Sequence, residues 1–183
     1  MVNIPGIIWL VPVAGIITVL FAILLARDVM RRDSGTPEMK AVGDMIFEGA
    51  WAFLKRQYST IGYLSVIVAV IVGFIVAVLG AESKIPELKD LAGWGIGWRT
   101  AVSFLVGAFC SGISGFIGMY IAVKSNVRCA AAARKGLREA VTVALRGGAV
   151  SGFLITALSL LGVTVIFFAF GGATHPDIAP HLI

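Results

Sequence analysis

Four apolar stretches, residues 4–26, 61–81, 100–123 and 147–174, contain not one Asp, Glu, Lys, Arg or His. A bilayer core of roughly 30 Å is crossed by about 20 apolar residues in a helix, and each stretch reaches that length. Backbone groups in lipid must be satisfied within their own segment, so such runs are helices rather than isolated strands. Composition agrees: 58% of the 183 residues are hydrophobic and 14% charged, where soluble domains carry about 25% charge. The expected fold class is therefore all-α, a polytopic membrane protein with four transmembrane helices in a single region, 1–183.

The first run resembles a signal peptide in position only. No basic residue precedes it, and Arg27, Arg31 and Arg32 follow it, the reverse of a secretory signal. Of the fifteen Lys and Arg residues, six lie in 27–60 and six in 124–146, against three in 81–99. Basic residues gather on the cytoplasmic side, which makes 27–60 and 124–146 cytoplasmic segments and leaves both termini external. The net charge of +5 therefore reads as a topology signal rather than a nucleic-acid interface.

Segment 27–60 opens with the breaker-rich Asp33-Ser34-Gly35-Thr36-Pro37 and then turns helical. Val42, Ile46, Trp51, Phe53 and Leu54 supply an apolar side and Lys40, Asp44, Glu48 and Lys55 a polar one, which predicts a helix lying at or below the membrane surface. Segment 124–146 is Ala-rich, extending the third helix and starting the fourth. The outer loop carries Pro86 and the pair Trp94 and Trp98, at a level where interfacial aromatics sit.

The third run is dense in small residues: Gly107, Ser111 and Gly115 stand four apart, as do Cys110, Ser114 and Gly118, and Ala108 and Gly112. Small residues let helix backbones approach closely, so this helix is expected to pack against several neighbours. Gly147, Gly148, Ser151 and Gly152 extend the pattern to the fourth run.

Chemistry-bearing residues are few. Asp44 and Glu48 share a helix face, suited to one magnesium ion or one basic partner, or simply to solvent. Lys55, Arg56, Arg128, Arg134, Lys135, Arg138 and Arg146 suit a polyanion or lipid headgroups. His175 and His181 make a poor metal site, and Cys110 and Cys129 are too few for a disulfide framework or a four-ligand zinc site. No phosphate-binding loop occurs, and Gly93-Trp94-Gly95-Ile96-Gly97 lacks the further glycine of a dinucleotide fingerprint. A pump needs ionisable groups within the bilayer, and magnesium-assisted hydrolysis needs clustered carboxylates. The expectation is no catalytic, cofactor-binding or metal residue in this chain.

Three blocks carry a family resemblance. Glu48-Gly49-Ala50-Trp51-Ala52-Phe53-Leu54-Lys55-Arg56-Gln57-Tyr58 resembles the first cytoplasmic segment of membrane-bound ion-pumping pyrophosphatases. So does the third helix, with Phe104-Leu105-Val106-Gly107-Ala108 followed by Ser111, Gly112, Gly115, Gly118, Met119, Ala122, Val123, Asn126, Arg128 and Ala130 to Ala133. Gly136-Leu137, Ala140, Val143-Ala144 and Arg146-Gly147-Gly148-Ala149-Val150 resemble the start of that family's fourth helix.

The resemblance implies a homodimer whose full-length subunit has about sixteen spanning helices in two concentric rings. It implies hydrolysis of magnesium pyrophosphate on the cytoplasmic side, driving protons, or in some members sodium ions, outward. The chain then corresponds to an N-terminal, outer-ring portion, inactive alone, set in lipid and in a bacterial or archaeal cell membrane. The family's paired-aspartate motif has no counterpart here, and potassium dependence is left open. The other reading is a stand-alone four-helix scaffold or small exporter, and the lack of an intramembrane carboxylate speaks against an exporter.

The basic-residue count makes orientation testable. A reporter active only outside the cytoplasm should be silent when fused after Asp33 or Lys135 and active when inserted within residues 81–92. The opposite pattern would reverse the assignment.

Overall fold

In the computed structural model, which describes residues 9–80 and 93–171, the chain forms four α-helices and, among the described residues, no strand. They are α1 (Leu10–Arg31), α2 (Pro37–Gly80), α3 (Trp94–Ala133) and α4 (Leu137–Ala169). Each is long and apolar enough to cross a membrane, so the protein is an all-α, multi-pass integral membrane protein. Residues 4–8 of the first apolar run, Pro86, residues 172–174 of the last run, His175 and His181 lie outside the described residues.

Local chemistry sets the breaks. After α1, Asp33 accepts the Gly35 amide at 3.0 Å, and Gly35 takes a φ of +82° that disfavours other residues. Thr36 then caps α2, its Oγ1 accepting the Met39 amide at 3.4 Å. Pro37 occupies the first helical position, where its missing amide hydrogen costs nothing, and Glu38 sits favourably in the positive first turn. The break between α3 and α4 is shorter. Gly136, at φ +147°, closes α3 by donating to the Ala132 carbonyl and opens α4 by accepting from the Ala140 amide.

The helix expected at or below the membrane surface proves to be the first half of α2, 44 residues without interruption. At 1.5 Å per residue that is about 66 Å, roughly twice the hydrocarbon thickness. No glycine–proline break separates Lys40 from the apolar run that follows, so backbone hydrogen bonding carries straight through. As expected, α3 runs past its apolar run into the Ala-rich segment.

The described residues fall into two compact units, one comprising 14–59 and 111–158 and the other 9–13, 60–80, 93–110 and 159–171. In the first, Ala22, Ile121, Val150 and Leu154 form a buried cluster flanked by Leu25, Ala26, Met30 and Tyr120. Small residues bring α3 and α4 together. A Cβ added to Gly118 would collide with the Ser151 hydroxyl, and one on Gly147 would lie 2.6 Å from Ser125 Oγ. The buried hydroxyls of Ser114 and Ser125 donate to Ser111 O (2.9 Å) and Ala122 O (2.8 Å) on their own helix. Between the two helices the Cys129 thiol donates a weak hydrogen bond to the Ala140 carbonyl at 3.4 Å, so the contact rests chiefly on close approach.

The apolar face of α2 in this unit differs from the expected one. Leu54 is buried, but Val42, Ile46 and Phe53 are more than half exposed. The side facing α3 instead carries Gly43 against Val127, and Phe47, Trp51 and Tyr58 in edge-to-face contact with Tyr120 and Phe116. Tyr58 fills the space above Gly115, where a Cβ would come within 2.7 Å of its hydroxyl.

In the second unit α2 and α3 approach through Gly73, Ala77, Gly97 and Ala101. A Cβ on Gly97 would stand 2.5 Å from the Gly73 carbonyl oxygen. Cys110 of α3 lies over Gly162 of α4. Trp98, in the first turns of α3, packs edge-on against Phe170, and Arg99 stacks near both rings.

Overpacking a well-fitted contact costs about 1–3 kcal/mol. Gly118→Val should therefore lower the thermal unfolding temperature of the purified chain in detergent. Gly152→Ala, where nothing lies within 4 Å, should leave it unchanged or raise it. Equal effects would mean that the α3–α4 contact does not depend on Gly118.

Candidate functional site

Charged side chains of the 14–59 and 111–158 unit meet where α1 ends and α4 begins. Arg146 donates to Asp28 at 2.7 Å and Arg32 to the same carboxylate oxygen at 3.2 Å. Arg32 also reaches Glu139 at 3.6 Å. Asp28 lies beyond the first apolar run. The Arg146 hydrogen bond holds its carboxyl below the usual 3.8; partial desolvation opposes this, and Arg32 reinforces it. With side chains 41% and 42% exposed, the Asp28–Arg146 pair contributes about 0–1 kcal/mol despite its short contact. Its main effect is to fix the register of α1 against α4.

Arg128 is held differently. Its Nη1 donates to Lys124 O at 2.6 Å and its Nη2 to Met30 O at 3.2 Å, the latter joining α3 to the end of α1. Its Nε is buried without a hydrogen-bond partner, and among the described residues no carboxylate pairs with it. Arg128 lines a cavity of about 260 Å³ with Arg32, Asp33, Ala131, Ala132, Lys135, Glu139 and Val143.

Of the residues singled out by sequence, Asp44 meets a basic partner: Lys124 lies 3.6 Å away, although Asp44 remains 76% exposed. The Lys124 ammonium also sits 4.1 Å from the Phe47 ring centre, a contact that anchors it between a charge and an aromatic face. Glu48, Lys55, Arg56, Arg134, Lys135 and Arg138 are exposed. Asp28 and Glu139 escaped the sequence reading. Asp28 stands four residues before Arg32, which lies just past the end of α1, and Glu139 is the sole acid in 124–146, a pattern that could have flagged both.

Among the described residues no group of three or more His, Cys, Asp or Glu side chains stands together as metal ligands. Asp28, Asp44 and Glu139 each face a cation instead. The arrangement is therefore an ion-paired junction of helix ends with an adjoining basic cavity, and its carboxylates do not fit a magnesium site.

Residues 16–183 match the model of the inorganic H+ pyrophosphatase family. The chain belongs to the H+ pyrophosphatase family. It is 47% identical over 171 residues to a K(+)-insensitive pyrophosphate-energized proton pump of Moorella thermoacetica, covering 93% of this chain and 22% of the relative. It is 44% identical to a pump of the same description from Caldanaerobacter subterraneus, covering 88% of this chain and 22% of that one. A pyrophosphate-energized membrane proton pump of Arabidopsis thaliana is 33% identical over 85% of this chain and 19% of its own. The chain thus spans about a fifth of the length of these H+ pyrophosphatases. No solved structure matches it.

The Asp28 pair gives a pH-dependent expectation. A carboxyl whose folded pKa is lowered contributes stability above its unfolded value, and that contribution disappears as pH falls through the lowered folded value. Asp28→Asn should therefore destabilise the chain at pH 7, and its difference from the wild type should shrink steadily below about pH 4. A difference independent of pH would show that the ion pair does not contribute.

Proposed function

We propose that this chain forms the N-terminal, four-helix portion of a pyrophosphate-energised proton pump, in which hydrolysis of magnesium pyrophosphate drives protons across the membrane. The observation that carries this reading is the 47% identity to such a pump across 93% of the chain. The relatives from Moorella and Caldanaerobacter, described as proton pumps insensitive to potassium, favour protons as the cargo and no potassium requirement. That addresses a dependence the residues themselves leave open.

In this reading residues 1–183 are one membrane region with spans at 4–26, 61–81, 100–123 and 147–174. Segments 27–60 and 124–146 face the cytoplasm and both termini lie outside, following the distribution of basic residues. The membrane is the cell membrane of a bacterium or archaeon, and the complete pump is a homodimer in contact with lipid. The four spans carry no charge, so their role is support: they hold in place the helices that bind magnesium pyrophosphate and conduct protons. Large exposed apolar side chains along them, such as Leu20, Ile67, Phe109 and Val165, suit lipid or those further helices. No residue of this chain is assigned to catalysis, to magnesium or to the proton path. A stand-alone scaffold or exporter is not favoured, because the relatives matched are pumps.

Membranes containing this chain alone should show no magnesium-dependent pyrophosphate hydrolysis above background. Hydrolysis that disappears on replacing Asp44 and Glu48 together would contradict the supporting role and place a catalytic site here.

A further inference from the structure

The cavity beside the ion-paired junction has an unbalanced charge. Arg32 is neutralised by Asp28 and Glu139, while Asp33 keeps its charge, its carboxylate accepting only from the neutral Gly35 amide, so the lining's three cations and two carboxylates leave a net +1. Arg128 and Lys135 line the same cavity, and among the described residues neither has a carboxylate partner. A guanidinium carries five donors. Arg128 spends two on the Lys124 and Met30 carbonyls, which fix its orientation without neutralising its charge. Lys135 is exposed at the rim. Across 27–33 and 124–146, with Asp44 counted as the partner of Lys124, nine Lys and Arg face four carboxylates, so the surrounding field favours an anion.

We propose that this cavity binds a phosphate oxyanion between Arg128 and Lys135. A pre-oriented arginine and a mobile lysine make a common pair for phosphate, the first supplying directed hydrogen bonds and the second a point charge. Ala131, Ala132 and Val143 supply the apolar part of the lining, and a less polar surrounding strengthens a charged hydrogen bond. The chemistry is shared by two sources, the headgroup of an anionic phospholipid and free inorganic phosphate. The inference rests on charge and geometry and holds whether or not the chain serves a pump.

The test uses the full chain, purified in detergent and stripped of lipid, with binding followed by phosphorus NMR. The probes are short-chain phosphatidylglycerol, phosphatidylcholine of the same chain length and inorganic phosphate. Saturable binding of phosphatidylglycerol but not phosphate assigns the site to a lipid headgroup, and the reverse assigns it to the free ion. In either case Lys135→Gln should weaken binding about fivefold, as expected for a partly exposed charge contact. Arg128→Lys, which keeps the charge and loses the fork, should also weaken it, while Lys55→Gln, remote from the cavity, should change it less than about twofold. The proposal is overturned if neither anion binds saturably, if phosphatidylcholine binds as tightly as phosphatidylglycerol, or if Lys55→Gln weakens binding as much as Lys135→Gln.

Discussion

A backbone amide left unpaired in hydrocarbon costs several kcal/mol, and that cost dictates the helices before any side chain is considered. With four long runs lacking charge, intrahelical hydrogen bonding is the one available solution. Lipid then offers no hydrophobic drive for helices to associate, so what remains is how closely they can approach. The glycines and serines of α3 answer that. Gly118 meets Ser151, Ser125 meets Gly147, and Gly97 meets Gly73. At each, even one methyl group would collide with backbone or a neighbouring side chain.

Charge appears where the apolar runs stop, and there it serves a different end. Asp28, Arg32, Glu139 and Arg146 tie the end of α1 to the start of α4, and Arg128 ties α3 to the last turn of α1 through a carbonyl. Each exposed pair contributes little energy alone. Together they give the helix ends a register that close packing of small residues, being nearly directionless, would not specify.

Much of this fold was legible in the sequence. The apolar runs announced four helices, and Asp33 to Pro37 announced the turn between α1 and α2, because Asx turns, positive-φ glycine and helix-initiating proline are local effects. The length of α2 was not legible as a single element. Its amphipathic first half and apolar second half look like separate helices, yet no proline divides them and the isolated Gly43, Gly49 and Gly62 do not interrupt the helix. Partner choice among small residues was also hidden. Gly107 and Gly115 look equivalent in the sequence, but Gly115 lies under Tyr58 whereas nothing lies near Gly107. The exposed Val42 and Ile46 and the contacting Phe47 show the same limit, since periodicity gives an apolar face only to within a residue or two. The Asp28 junction joins residues more than a hundred positions apart, beyond what local pattern can reveal.

The most direct measurement joins this chain to the part of the Moorella thermoacetica pump beyond the 22% it matches, and follows pyrophosphate-driven acidification of inside-out membrane vesicles. A supporting four-helix portion of an H+ pyrophosphatase should restore acidification that the remaining part lacks alone, and dissipating the proton gradient should abolish it. A stably inserted, folded chimera that neither hydrolyses pyrophosphate nor moves protons would contradict the account.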